Sequence, residues 1–147
     1  MTLPEDVSDR GEIKRILYVL SESVAARVRD ADVGKADTVH VVVRNERMEV
    51  TTFQKKVPPT ALCGEIAEAA FGLYCEHCPE GTKAHMLGVS VSGFDYHIEQ
   101  LALDGGGKGR DYEKKERAER AVAGLRKKYG YATVQRGIML EDERLAA

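Results

Sequence analysis

The chain has 147 residues, 43% of them hydrophobic, which is enough for one domain with a buried core and too little for two domains of ordinary size. A formal net charge of −2 and an isoelectric point near 6.1 exclude a uniformly basic protein, so a surface that binds a polyanion would have to be local. No apolar run approaches the roughly 18 residues that a membrane span needs, and the three cysteines with no signal-peptide pattern predict a reducing cytoplasm.

A first amphipathic helix is predicted over residues 11–30, where apolar side chains recur at spacings of three and four. Asp9, followed three residues later by Glu12, resembles a capping box at the start of this helix. The acidic residues just before it, Glu5 and Asp6, are interpreted as carboxylates that favour a helix N-terminus.

A β-hairpin is predicted in "TVHVVVRNERMEVTTFQKKVPPT", residues 38–60, because two alternating apolar and polar segments flank a short turn. The turn is placed at residues 45–47 and the second strand at residues 48–57. The "PPT" that follows is expected to stop the sheet, since proline cannot donate to a strand ladder. Its threonine, Thr60, is expected to cap a second helix over residues 61–77.

The remainder is predicted to form two strands, a loop and a charged helix. "HMLGVSVSGF" alternates apolar with small or polar residues and predicts a strand, and "EQLAL" predicts a shorter one. "DGGGKGRD" is a flexible loop by composition, the helix over residues 112–129 stops at Gly130, and "TVQRGIML" adds a strand or an extended tail. The predicted divisions are a sheet-and-helix domain at residues 1–104, a glycine-rich loop at residues 105–110, and a C-terminal helix and tail at residues 111–147.

This order of elements predicts an α+β fold with a mainly antiparallel sheet, helices packed on one face and the other face open. The open face is expected to show cations, hydroxyl groups and small residues: His40, Arg44, Thr52, Lys56, Gly88, Ser90 and Ser92. Small side chains let a phosphate chain approach closely, while hydroxyls and cations bind its oxygens. Two interpretations remain open, a nucleic-acid platform and an ordinary solvated face whose lysines keep an edge strand soluble.

Two other patterns resemble known sites but are incomplete. Cys75 and Cys78 have the C-x-x-C spacing of a zinc ligand pair, but Cys63 lies roughly 18 Å away along the same predicted helix, and no second ligand pair is suitably spaced. The thiols are interpreted as incidental to a helix end. "GGGKGR" lacks the first glycine and the Ser or Thr of a Walker loop, and no nucleophile or acid-base pair is evident. We therefore expect no metal site and no catalytic residue.

The segments "LSESVAARVR", "TVHVVVRNERMEVTTFQKK", "MLGVSVSGF" and "EQLAL", in this order and spacing, resemble the little finger of Y-family lesion-bypass DNA polymerases, such as bacterial polymerases IV and V. The little finger is the C-terminal, polymerase-associated domain of that family. The resemblance runs from "TLPEDV" to "LRKKYGYATVQRG". It implies a DNA-binding accessory domain of an error-prone translesion polymerase that acts in DNA repair. Its sheet would lie in the major groove of primer-template DNA and hold both backbones largely without reading sequence.

The resemblance also implies which residues touch DNA. The family's Ser/Thr-Arg pair falls on Thr52 and Phe53, and the arginine ahead of its "LLGV" strand falls on His85, so two family arginines are replaced. Two adjacent lysines are expected to compensate in part, and the phase of their strand decides which of them faces DNA. The expected contact set is Arg44, Thr51, Thr52, Lys55, Lys56, His85, Ser90 and Ser92.

"QLAL" is similar to the sliding-clamp-binding peptide of bacterial polymerases, whose glutamine and leucines enter a pocket on the clamp. The corresponding residues are Gln100, Leu101 and Leu103. On the alternative interpretation, the two leucines simply finish the sheet. The resemblance thus implies a second possible function, a protein-interaction module that binds the clamp or other domains of the polymerase.

Catalysis in the family uses magnesium-binding carboxylates of an N-terminal palm domain, which these residues do not include. The resemblance therefore implies that this chain alone is not an enzyme and needs no cofactor. The parent protein would be a DNA-directed DNA polymerase with Mg in its catalytic part. The expected partners are primer-template DNA, the clamp and the other domains of the parent, and no membrane.

Overall fold

The computed structural model describes residues 1–94, 107–130 and 134. In chain order the elements are β1 (Thr2–Val7), α1 (Arg10–Ala31), β2 (Ala36–Asn45), β3 (Val50–Thr60), α2 (Cys63–His77), β4 (Ala84–Ser92) and α3 (Gly107–Tyr129). The chain divides into two compact units, Met1–Asp95 and Tyr96–Ala147, and α3 belongs to the second. The predicted boundary at residue 104 lies outside the described residues.

The first unit is a four-stranded antiparallel sheet with helices on one face. The strand order is β1-β4-β2-β3. The predicted hairpin of β2 and β3 therefore forms one half of the sheet, with β3 as an edge strand. Helix α1 packs on β4 and on α2, and α2 packs on β2 and β3. The predicted α+β architecture is confirmed.

The hydrophobic core lies between the sheet and the two helices. The central strand β2 contributes Val39, Val41 and Val43, each at most 5% exposed. The helices contribute fully buried side chains that recur at helical spacing: Ile13, Leu17, Ile66, Leu73 and Tyr74. In the described ranges, no helix combines the length and apolar character that crossing a bilayer demands.

Helix α1 begins as predicted, but the residues before it form a strand. Asp9 has extended backbone and accepts a 3.2 Å hydrogen bond from the Glu12 backbone N–H, which confirms the predicted cap. Glu5 and Asp6 lie in β1, so their assignment to helix chemistry was wrong. The segment extends because it pairs with β4, whose Leu87 exchanges backbone hydrogen bonds with Met1.

Strand β3 continues through both prolines, contrary to the prediction that they stop the sheet. It pairs only with β2 among the described strands, so the missing N–H groups of Pro58 and Pro59 fall on an edge strand, where proline is tolerated. Thr60 is not the helix cap that was predicted. Its hydroxyl accepts a 3.0 Å bond from the Leu62 N–H, and the cap position itself is Leu62, ahead of Cys63.

Helix α3 starts at Gly107, so residues 107–110 of the predicted glycine-rich loop are helical. Glycine is less costly there than in a helix interior, because the first turn has few intrahelical bonds to lose. The predicted stop is confirmed: Gly130 has a φ of +100° and donates a 2.7 Å backbone bond to the Arg126 carbonyl. The strands predicted in "EQLAL" and "TVQRGIML" fall outside the described residues, apart from Val134.

Candidate nucleic-acid interface

The sheet surface opposite α1 and α2 is called the open face here. Its position follows from β2, where buried valines alternate with residues that are only partly covered. Directly paired residues in neighbouring strands share a face. The open face therefore carries Thr38, His40, Val42 and Arg44 of β2, Val50, Thr52, Gln54 and Lys56 of β3, and Met86, Gly88, Ser90 and Ser92 of β4. None of these twelve residues is buried.

The two lysines of β3 lie on opposite faces of the sheet. Lys56 pairs with Thr38 on the open face, whereas Lys55 pairs with the buried Val39. The same alternation places Thr52 on the open face and the exposed Thr51 on the helix side. The strand phase that the sequence left undecided is thus fixed. Of the two adjacent pairs, Thr52 and Lys56 share the open face.

Phe53 also points to the helix side, where its ring stacks on that of His77 in α2. The ring centroids are 4.4 Å apart and the planes differ by 5°. The resemblance to Y-family little fingers implies an arginine at this position. Here Phe53 anchors the edge strand to the helix layer and adds no charge to the open face.

Arg44 is the cation of the central strand on the open face, flanked by Val50 and Met86 on the neighbouring strands. Its Nε atom is buried and has no hydrogen-bond partner among the residues that the structure describes. Guanidinium groups are forked donors suited to phosphate oxygens. Arg44, which is partly exposed as a residue, therefore places a guanidinium group on the open face for an anion that reaches it.

Small and hydroxyl side chains occupy the β4 part of the open face. His40 Nε2 and Ser92 Oγ share a hydrogen bond of 2.7 Å, which orients both groups across the strand pair. Ser90 is exposed. Gly88 leaves open space beside Val42, since a Cβ at Gly88 would meet only the Val42 Cβ, at 3.6 Å. A bulky backbone such as a phosphate chain can come close at this point.

His85 lies apart from this arrangement. It falls where the register of β4 against β2 shifts, between the residues paired with Arg44 and Asn45. Its Nδ1 is 3.0 Å from the Asp6 carboxylate, and both side chains are about one-third exposed. A carboxylate at this distance would compete with phosphate for the imidazole.

Sequence reasoning missed three features of the surface. Asp6 was assigned to a helix start, so its pairing with His85 was not foreseen. Thr38 and Gln54 complete the polar end of the open face, on either side of the β2–β3 pairing. The alternation of the hairpin carried the signal for these two residues, because every second residue from His40 and Thr52 shares their face.

The proposed clamp residues Gln100, Leu101 and Leu103 lie outside the described residues. Within the described ranges, no group of three or more His, Cys, Asp or Glu side chains is arranged to hold a metal ion.

Comparison with known proteins places this sheet in a family. Residues 1–103 match the impB/mucB/samB family C-terminal domain. The chain belongs to this family. Its sequence is 28% identical over 148 residues to DNA polymerase IV of Acetivibrio thermocellus, covering 99% of this chain and 36% of that protein. It is 30% identical over 143 residues to DNA polymerase IV of Moorella thermoacetica, covering 95% and 34%.

This chain is also similar in structure to a solved protein. The chain matches a structure described as a complex of the beta-clamp processivity factor and the little finger domain of PolIV, with a TM-score of 0.53 and 18% identity. The match covers 65% of this chain and 85% of that one. The predicted resemblance to a Y-family little finger is confirmed in family and in fold. The chain spans about a third of the length of the curated relatives it matches.

Proposed function

We propose that this chain is a DNA-binding accessory domain that holds primer-template DNA through its open face, by phosphate contacts and with little sequence preference. The observation that carries the proposal is the gathering of Arg44, Lys56, Thr52 and Ser90 on one unburied surface. Cations, hydroxyls and a glycine suit a backbone, and phosphate contacts carry no sequence information directly.

The arrangement also accounts for a protein of nearly neutral charge acting on a polyanion. The net charge of −2 is a sum over the whole chain, while Arg44 and Lys56, the cations of the described open face, lie on two paired strands. Acidic side chains of β1 lie at the other edge of the sheet. The electrostatic attraction to phosphate is thus confined to this part of the surface. A small number of ion contacts can supply it without a positive charge on the whole chain.

We further propose that the parent protein is an error-prone translesion DNA polymerase that takes part in DNA repair. Several relatives over nearly the whole of this chain are named DNA polymerase IV. In such a protein the metal-binding carboxylates and the magnesium would belong to another domain. The role of this chain would be to add grip on the duplex, and it would not polymerise DNA by itself.

The test is a fluorescence-anisotropy titration of a labelled primer-template duplex at about 50 and 200 mM salt, comparing Lys56→Ala with Lys55→Ala. The two variants remove the same charge from adjacent exposed residues on opposite faces. Each phosphate contact contributes about 0.9 to the slope of log affinity against log salt. We expect Lys56→Ala to weaken binding about threefold at the lower salt and to reduce the slope by about one. Lys55→Ala should change the affinity and the salt slope much less.

Equal losses in the two variants would show that binding does not use the open face and would contradict the proposal. Arg44→Ala supplies an independent check on the central strand, with the same direction expected. A scrambled duplex sequence should bind as tightly as the original, because the contacts are to phosphate.

A second candidate function is binding of a sliding clamp through Gln100, Leu101 and Leu103. It is favoured by the structural neighbour, which is described as a little finger in complex with the beta-clamp. A Gln100→Ala, Leu101→Ala double variant should lose binding to an immobilised clamp and keep its affinity for the duplex. Retention of clamp binding by this variant would remove the segment from the proposal.

A further inference from the structure

The C-terminal end of α2 brings two thiols into one helical turn. The helix closes with a 2.8 Å backbone bond from the Cys78 N–H to the Tyr74 carbonyl, and Cys78 is the C-cap residue. Residues three apart in such a turn have Cα atoms roughly 5 Å apart. Disulfides span Cα separations of about 4.4–6.8 Å. Cys75 and Cys78 therefore have the backbone spacing of a bridgeable pair.

The two thiols differ in access. Cys78 is 6% exposed, whereas Cys75 is partly exposed. Cys63, at the other end of the same helix, is 2% exposed and its thiol points to the Tyr18 carbonyl at 3.9 Å. A reagent in solution would thus react with Cys75 first, and Cys78 is the neighbouring thiol that could react with the modified Cys75.

A cation lies beside the pair. The Arg10 Nη2 donates a 3.4 Å bond to the Cys78 carbonyl, and its Nε is buried without a hydrogen-bond partner in the described part of the chain. Burial raises the pKa of the Cys78 thiol, the neighbouring Cys75 raises it further, and the Arg10 charge opposes both. Arg10 therefore offsets part of the cost of forming a thiolate at a helix C-terminus.

We propose that Cys75 and Cys78 are a redox pair that closes reversibly into a disulfide when the surrounding glutathione-type disulfide is in excess. The Cys75 thiolate attacks one sulfur of the small disulfide, which forms a mixed disulfide and releases one small thiol. The Cys78 thiolate then attacks the Cys75 sulfur and releases the second. Two protein thiols are oxidised and one small disulfide is reduced to two thiols.

This inference is independent of DNA binding. His77, between the two cysteines, stacks on Phe53, which points away from the open face. The bridge would therefore form on the helix side of β3. We expect the affinity for duplex DNA to differ less than twofold between the oxidised and reduced forms.

The experiment equilibrates the full 147-residue chain with glutathione buffers of increasing oxidised-to-reduced ratio, blocks remaining thiols by alkylation, and measures intact and peptide masses. In the native chain, we expect two thiols to be lost together. The peptide that contains both cysteines should then escape alkylation, and its mass should be about 2 Da below that of the unalkylated reduced peptide, the mass of two thiol hydrogens. Cys63→Ala should behave in the same way.

Single variants identify the order of attack. Cys78→Ser should accumulate a glutathione adduct on Cys75 at a rate close to that of the first step in the native chain. Cys75→Ser should form an adduct on Cys78 at least tenfold more slowly, because Cys78 is buried. The tenfold difference in rate between the two variants depends on the burial of Cys78 in the folded chain, so it should disappear in urea.

The native chain alone decides the main point, whether or not a variant folds. Accumulation of a stable glutathione adduct with no internal bridge would overturn the proposal. A bridge that includes Cys63, or one between two chains, would overturn it as well. An internal Cys75–Cys78 bridge that reopens with reduced glutathione supports it.

Discussion

Ser21 of α1 is a serine whose side chain is buried in the hydrophobic core. It is 0% exposed, and its Oγ has no hydrogen-bond partner among the described residues. A buried polar group without a partner costs free energy that an apolar side chain of similar size does not. We therefore expect Ser21→Ala to raise the free energy of unfolding by about 1 kcal/mol.

The measurement is urea unfolding of Ser21→Ala and Ser23→Ala side by side. Ser23 is exposed on the same helix, so its variant reports the gain in helix propensity alone. A larger gain at Ser21 than at Ser23 is expected from the removal of the buried hydroxyl. A net loss at Ser21 would show that the hydroxyl is satisfied or that the cavity left behind outweighs it.

Among the secondary-structure elements, α1 depends on one side chain at its start. The Asp9 carboxylate accepts the Glu12 N–H at 3.2 Å, and this exposed bond satisfies one of the free donors of the first turn. We expect Asp9→Ala to lower the free energy of unfolding by about 1 kcal/mol and Asp9→Asn to lower it much less, since asparagine caps about as well as aspartate. Thermal unfolding of both variants at neutral pH would measure this. Equal losses would point to the charge of Asp9 and not to its cap.

For the stability of the folded unit as a whole, Tyr74 gives a signature at alkaline pH. The residue is 1% exposed, and burial, with a smaller contribution from Cys78, raises the pKa of Tyr74 from 10.0 to about 12. The folded state thus favours the protonated phenol. The resulting contribution to the free energy of unfolding is fully present below about pH 10, and it is lost as the pH rises toward about 12.

Tyr74→Phe should therefore cost little near pH 8, where it removes only a 3.5 Å hydrogen bond to the Thr82 carbonyl. It should reduce the loss of stability between about pH 10 and about pH 12. Urea unfolding across this range checks both statements, with Tyr129→Phe as the control, because Tyr129 is 61% exposed. An unchanged alkaline transition would mean that other groups dominate it.

Much of the fold follows from local pattern. The period of 3.6 located α1, and the period of two located the hairpin and assigned His40, Arg44 and Ser90 to one face before any pairing was known. These patterns are strong because burial of one face imposes them residue by residue. The open face could be predicted for the same reason.

The errors arose where pairing overrides local preference. β1 reads as acidic and contains a proline, and it is a strand because β4 offers it an edge. The prolines of β3 were taken as a stop because the strand order, which leaves β3 at the other edge, cannot be read from the hairpin alone. The contact of His85 with Asp6 joins residues 79 apart in sequence, so no local pattern indicates it.

Lys55 and Lys56 lie on opposite faces of the sheet, and the length of the link between β2 and β3 determines which of them is on the open face. Losing or gaining one residue there, with β2 fixed, would turn every side chain of β3 to the opposite side of the sheet. Lys56 would face the helices, and Phe53 would leave His77 for the solvent. Lineages of this domain can therefore change individual β3 residues gradually, whereas an insertion or deletion in the link would exchange the two surfaces in a single event.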